Sequence, residues 1–282
     1  MVPFANKNSF LSTMNQRTQN YLALFVERLQ SQGRYSFTLA ELRRAFELSD
    51  EALKKALHRL VRKQKIAPVR QGFYVVVPPE YLATGILPPH LFIDDLMKFL
   101  GKPYYVGLLS AAALHGAGHQ QPQEFYVVTT KPAHRPIESR GVKINFPIKA
   151  ALPKFGLEDR KTDTGYLKVS SPELTAIDLV QFESRVGGLN RVTTVLDELA
   201  DRMEVASLQR LANKEFPAAH LQRLGFILDE VLQREELAQA IFEGCSIRRF
   251  HRVPLNPTMK KNGFGARNRW KIIANASLES EL

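Results

Sequence analysis

Residues 38–63 read TLAELRRAFELSDEALKKALHRLVRK, and this stretch decides the fold. Thr38 is suited to the N-cap of a helix, and Glu41, three positions on, completes a capping box. The helix it opens runs from about Leu39 to Phe46 and turns Leu39, Leu42 and Phe46 inward. Only Glu47 and Leu48 separate it from Ser49, a second N-cap. Asp50 and Glu51 follow, and their charge suits the positive end of a helix. Two short helices joined by so tight a turn are the signature of a helix-turn-helix.

The second of these helices carries the functional signal. At 100° per residue, Leu53, Leu57, Leu60 and Val61 share one arc and face a core. Lys55, His58, Arg59 and Arg62 occupy the opposite arc, with Lys54 and Lys63 at its flanks. Outer helix faces usually mix both signs, yet Glu51 is the only acid here. A cationic face of this kind fits a groove lined by phosphates.

Working outward, Gln16 to Gln30 places Tyr21, Leu22, Phe25, Val26 and Leu29 on one amphipathic stripe, ended by Gly33. Beyond Lys65 the period changes to that of strands. Ile66–Val69 and Phe73–Val77 form a β-wing, and its turn, Arg70-Gln71-Gly72, presents Arg70 and Gln71. Pro78-Pro79 closes the module. The pattern predicts a winged helix-turn-helix over residues 1–80 that binds double-stranded DNA. The candidate DNA-contacting residues are Lys54, Lys55, His58, Arg59, Arg62, Lys63, Lys65, Arg70 and Gln71, with Arg43 and Arg44 on the preceding helix. Winged helices also serve protein–protein contacts, so the fold alone does not decide the partner.

Charge distribution supports this emphasis. The chain of 282 residues carries a net charge of +11. Residues 1–80 are net +7, residues 81–247 net −2, residues 248–271 net +8 and the last 11 residues net −2. Basic ends around a near-neutral middle favour a polyanionic partner over an evenly solvated basic surface. The second basic run contains Arg248, Arg249, Arg252, Arg267, Arg269 and Lys271, interleaved with Phe250, Phe264 and Trp270. It either grips nucleic acid or an acidic protein, or packs its aromatics on the domain and leaves its charges in water.

Residues 81–90, with Pro88-Pro89, read as a linker, and residues 91–282 as a larger mixed domain. Helices are expected at 91–100 and 106–117, and strands at 123–130, 142–146 and 166–169. From Ser171-Pro172-Glu173 onward the chain reads as helical to about Gly244. The fold class is therefore α+β: a winged helix-turn-helix, then a small sheet with a helical array.

Catalytic chemistry finds no foothold. His115 and His119 have the four-residue spacing of metal ligands on a helix, but Gly116 and Gly118 intervene and no third ligand is evident. Ser110 lacks the Gly-x-Ser-x-Gly elbow. Asp94 and Asp95 are adjacent and point to different faces. The single cysteine, Cys245, excludes an internal disulfide and multi-cysteine zinc sites, and reads as a buried small residue. The glycines match no phosphate-binding fingerprint. No metal, cofactor or enzymatic activity is expected. No apolar run is long enough for a membrane span, and the first residues do not read as a secretory signal, so a cytoplasmic protein is expected.

Three blocks resemble the AbiEi family of antitoxins from type IV toxin–antitoxin, abortive-infection systems. They are the module ending in Gly72-Phe73-Tyr74-Val75-Val76-Val77-Pro78, the run from Tyr104 to Gly116 with the following Glu124–Thr129, and Ser171–Leu179. The resemblance implies a protein with two roles. An N-terminal domain would bind inverted repeats in its own promoter and repress transcription. A C-terminal domain would counteract a cognate nucleotidyltransferase-like toxin without a stable complex. The family's DNA-binding basic residues would correspond to Lys54, Lys55, His58, Arg59, Arg62 and Arg70. The alternative is a winged-helix regulator whose C-terminal domain senses a ligand or dimerises. A DNA-processing enzyme is the third reading, disfavoured by the missing catalytic constellation.

Overall fold

The computed structural model describes residues 21–118, 124–214 and 216–278. The fold is mixed α+β and divides into two compact units. Unit one takes Met1–Lys102, Arg135–Ile144 and Lys161–Leu167; unit two takes Pro103–His134, Asn145–Arg160 and Lys168–Leu282. The boundary expected near residue 80 thus falls inside unit one.

Unit one begins with helix α1, described over 21–31; the expected start at Gln16 lies outside the described residues. Strand β1 (Ser36–Thr38), helices α2 (Leu39–Ala45) and α3 (Asp50–Arg62), and strands β2 (Ile66–Arg70) and β3 (Phe73–Val76) follow. The strands form an antiparallel sheet in the order β1-β3-β2. Its register sets Ser36 opposite Val75 and Ile66 opposite Val76. The cap signals act as their chemistry dictates. The Thr38 hydroxyl accepts from the Glu41 amide at 3.1 Å, and the Glu41 carboxylate accepts from the Thr38 amide at 2.7 Å. The Ser49 hydroxyl accepts from the Ala52 amide. Leu42, Leu53 and Ile66 are wholly buried and pack with Leu22, Val26 and Leu29 of α1. Each such side chain contributes about 1.5–3 kcal/mol relative to exposure. Phe37 anchors the interior by stacking on Tyr74 and meeting Phe25 edge-on.

The stretch expected as a linker is folded. It makes a 3₁₀ turn at Pro79–Tyr81, buries Ile86 and Leu87, and enters helix α4 (Ile93–Phe99) through a second turn at Pro89–Leu91. The Ser36 hydroxyl donates to Asp95 at 2.6 Å, and Phe99 packs on Phe73.

In unit two, strand β4 (Tyr104–Val106) runs straight into helix α5 (Leu108–Leu114). The helix expected from Val106 therefore starts later. The aromatic and β-branched run Tyr104-Tyr105-Val106 favours a strand. Gly107 makes the turn because a Cβ there would stand 2.9 Å from Val128 Cγ2. Strand β5 (Glu124–Thr130) pairs antiparallel with β4, setting Tyr105 opposite Val128. The hairpin of β6 (Ile137–Ser139) and β7 (Val142–Asn145), which belongs to unit one up to Ile144, turns at Arg140-Gly141, both at positive φ. Strand β8 (Ile148–Lys149) pairs parallel with β5. Strand β9 (Leu157–Thr162) is the neighbour of β10 (Gly165–Ser170), which pairs parallel with β4.

Helix α6 (Pro172–Gln181) starts at the expected N-cap, Ser171, and is buried along nearly its whole length. Helices α7 (Leu189–Ala200), α8 (Val205–Lys214), α9 (Ala218–Phe226) and α10 (Glu235–Gly244) complete the array. Within the stretch expected to be helical, α9 passes into a π-helical turn at Ile227–Val231. Two short strands, β11 (Val253–Pro254) and β12 (Ile272–Ile273), pair in parallel and return the tail to the core.

Candidate functional site

Unit one displays its cations on α3. Lys54, Lys55, His58, Arg62 and Lys63 are exposed, while Leu53, Ala56, Leu57 and Leu60 on the other side are buried. Arg59 departs from the expected arc and is half-buried. Lys65 and Gln71 are exposed, and Arg70 is half-buried at the end of β2. A bulge between Pro68 and Arg70 precedes the turn, and Gly72 takes φ +80° there. That region is open to glycine and strained for other residues.

Some expected contacts are engaged within the unit. Both the Nε and Nη2 of Arg43 donate to the Asp50 carboxylate at 2.9 Å, clamping α2 to the start of α3. The Nε of Arg44 donates to the Ala40 carbonyl at 3.3 Å. Lys55 pairs with Glu51 at 2.7 Å and holds that carboxyl below its ordinary pKa. Both ion pairs are exposed, so a phosphate competes with them at little cost. Arg140 was missed by sequence reasoning. The β6–β7 hairpin brings it to α3, where Nη2 meets the Val61 carbonyl at 3.5 Å. The Ser139 hydroxyl donates to the Pro68 carbonyl on β2 at 3.0 Å. A separation of 79 positions from Val61 hides this cation from any local pattern.

In unit two the second basic run splits. Trp270 is wholly buried, stacks on Phe250, and donates from Nε1 to Asp229 at 2.8 Å. Arg269 shares Asp229 at 2.7 Å and lies over the Phe242 and Trp270 rings. Arg248 donates to the carbonyls of Phe216 and Asn213, and Lys271 to that of Phe250. Arg248, Arg269 and Lys271 are therefore occupied by the fold, because Phe250 and Trp270 pack inward and take their neighbours with them, whereas Phe264 stays exposed. Arg249, Arg252 and Arg267 remain exposed.

The buried polar centre of unit two joins three elements. Asp178 of α6 accepts from the Tyr105 hydroxyl at 2.5 Å, and its other oxygen pairs with Lys149 of β8. Burial, followed by the Asp178 charge, raises the Tyr105 pKa well above its ordinary value. All three groups are mutually satisfied, so the cluster ties the sheet to α6 and leaves no free nucleophile or base. His115 donates from Nε2 to the Ser170 carbonyl at 2.7 Å, since a carbonyl only accepts. His119 lies outside the described residues. Among the described residues, no group of His, Cys, Asp and Glu is placed to hold a metal ion. Likewise, no described helix is long and apolar enough to cross a membrane.

Residues 105–230 match the family described as AbiEi antitoxin C-terminal domain, a match that supports an AbiEi-family antitoxin. No curated protein matches the chain. Among solved structures, the RV2827C protein from Mycobacterium tuberculosis is similar at a TM-score of 0.62 and 16% identity, over 90% of both chains. That likeness concerns the fold alone. An antigenic nucleotidyltransferase-like protein from Paracoccidioides brasiliensis overlaps 54% of this chain and 89% of its own, at 12% identity and a TM-score of 0.35. That overlap carries no argument.

Proposed function

We propose that residues 1–80 work as a winged helix-turn-helix on double-stranded DNA, with α3 in the major groove and the β2–β3 turn against the backbone. The antitoxin role falls to unit two, which holds most of residues 105–230 that match the family. On this reading the protein represses its own promoter at inverted repeats and counteracts a nucleotidyltransferase-like toxin without a stable complex. It is a cytoplasmic regulator and not an enzyme. The observation that carries the DNA reading is the two-sided build of α3: Leu53, Leu57 and Leu60 inside, and Lys54, His58, Arg62 and Lys63 in water. Apolar burial fixes the helix rotation, and the rotation delivers the cations to a polyanion. The antitoxin reading rests on the family match over residues 105–230.

Two assays test the two roles. A mobility shift with the duplex upstream of the gene is expected to show a complex that Lys54→Ala/Arg62→Ala weakens at least tenfold. Co-expression with a nucleotidyltransferase-like toxin from the same operon is expected to restore growth. A duplex bound equally well by the variant removes the recognition-helix assignment, and a culture that stays arrested removes the antitoxin role.

A further inference from the structure

We propose that a cleft in unit two binds a nucleoside phosphate, with Arg160, Arg202 and Arg210 on the phosphates and Phe155 against the base. The cleft holds about 580 Å³, lies between β9, the start of α6 and the start of α8, and is lined by these four residues. Its size is that of a small-molecule site. Arg160 sits on β9, Arg202 in the link from α7 to α8, and Arg210 on α8. All three are exposed.

Their pairing state is the informative feature. Glu158 and Glu204 stand in the same wall. Even so, none of the ion pairs among the described residues joins Arg160, Arg202 or Arg210 to a carboxylate. Arg160 spends one donor on the Leu114 carbonyl, which holds the guanidinium at the cleft. The third acid, Glu173, is only 3% exposed, and its carboxylate is committed to the Ser171 hydroxyl at 2.6 Å and the Glu204 amide at 2.7 Å. It stiffens the wall and leaves the arginines to an incoming anion. Guanidinium forks match phosphate oxygens in pairs. Phe155 adds a ring left 48% exposed beside these cations, and a base is a flat partner that tolerates such a ring in any sequence. An inorganic anion would make no use of it, and an acidic peptide none of its flatness.

The test is calorimetric titration of the full chain with ATP, GTP, CTP and UTP, and with inorganic tripolyphosphate. At least one nucleoside triphosphate is expected to bind at a single site. Arg202→Glu/Arg210→Glu is expected to weaken it at least tenfold with an unchanged melting temperature, both side chains being in water. Phe155→Ala is expected to weaken the nucleotide while leaving tripolyphosphate unaffected. Lys54→Glu/Arg62→Glu, which abolishes DNA binding on the reading above, is expected to leave nucleotide binding intact. The proposal is overturned if no nucleoside triphosphate binds at millimolar concentration, or if binding survives Arg202→Glu/Arg210→Glu. It is equally overturned if Phe155→Ala leaves nucleotide and tripolyphosphate indistinguishable, which would make the cleft a plain polyanion site.

Discussion

Tyr105 and Asp178 stand 73 positions apart and share a proton-donating contact of 2.5 Å at the centre of unit two. The Asp178 carboxylate is fully enclosed, and Lys149 satisfies its other oxygen from β8. Removing one member of such a buried pair strands the other charge, at roughly 3–5 kcal/mol. Asp178→Ala is therefore expected to cost about that much in urea denaturation. Tyr105→Phe removes a single hydrogen bond and is expected to cost about 1–3 kcal/mol. If Asp178→Ala unfolds within about 1 kcal/mol of the wild type, the cluster does not tie sheet to helix.

Gly225 on α9 is dictated by the indole above it. A Cβ there would lie 2.2 Å from Trp270 Cζ3, and the ring has no free side to retreat to, being wholly buried. Gly225→Ala is expected to destabilise unit two by at least about 1–3 kcal/mol, although alanine is the better helix former. A calorimetric melt that rises in this variant would show the seat of Trp270 to be looser than described.

His220 sets an acid limit. Burial first, then the Arg223 and Lys149 charges, lowers its pKa from 6.5 to about 4. Below pH 6.5 the unfolded chain takes up a proton that the folded chain refuses. Stability from this group is complete above that pH and declines towards pH 4, by on the order of 3 kcal/mol at most. His220→Leu is expected to lose less stability between pH 7 and 4.5 than the wild type does. Parallel curves for the two proteins would remove this residue from the acid response.

DNA affinity is expected to fall steeply with salt. If four to six cations of α3 and the β2–β3 turn each neutralise a phosphate, log K falls against log salt with a slope of roughly −4 to −5. Arg62→Ala is expected to flatten that slope by about one. A slope near zero would mean that these cations do not meet phosphates.

The legible part of this molecule was local. Thr38, Glu41 and Ser49 act on amides within three residues of themselves, so their spacing announces α2 and α3. The burial of Leu53, Leu57 and Leu60 follows from helical periodicity in the same way, and so does the exposure of the lysines between them. What escaped was non-local. Arg140 reaches α3 through a hairpin formed far along the chain, and no pattern within residues 38–80 mentions it. The tail stays open to two readings in sequence for a related reason. Its arginines alternate with aromatics, which is the composition of a nucleic-acid-binding strand and also of a strand closing a core. Only the space above Gly225 decides between them. Strand β9 reads Leu157-Glu158-Asp159-Arg160-Lys161-Thr162, with almost no apolar residue to betray it. Arg202 and Arg210 carry no recognisable motif, because their meaning lies in the cleft that three separate segments build.

The burial of Trp270 also has a consequence for how unit two is made. Until residue 270 has been synthesised, the groove over Gly225 stands open, and Asp229 has neither the indole nor the guanidinium beside it. A ribosome paused anywhere upstream therefore presents chaperones and proteases with an uncapped interior. Unit two reaches its finished form only once residue 270 has left the ribosome.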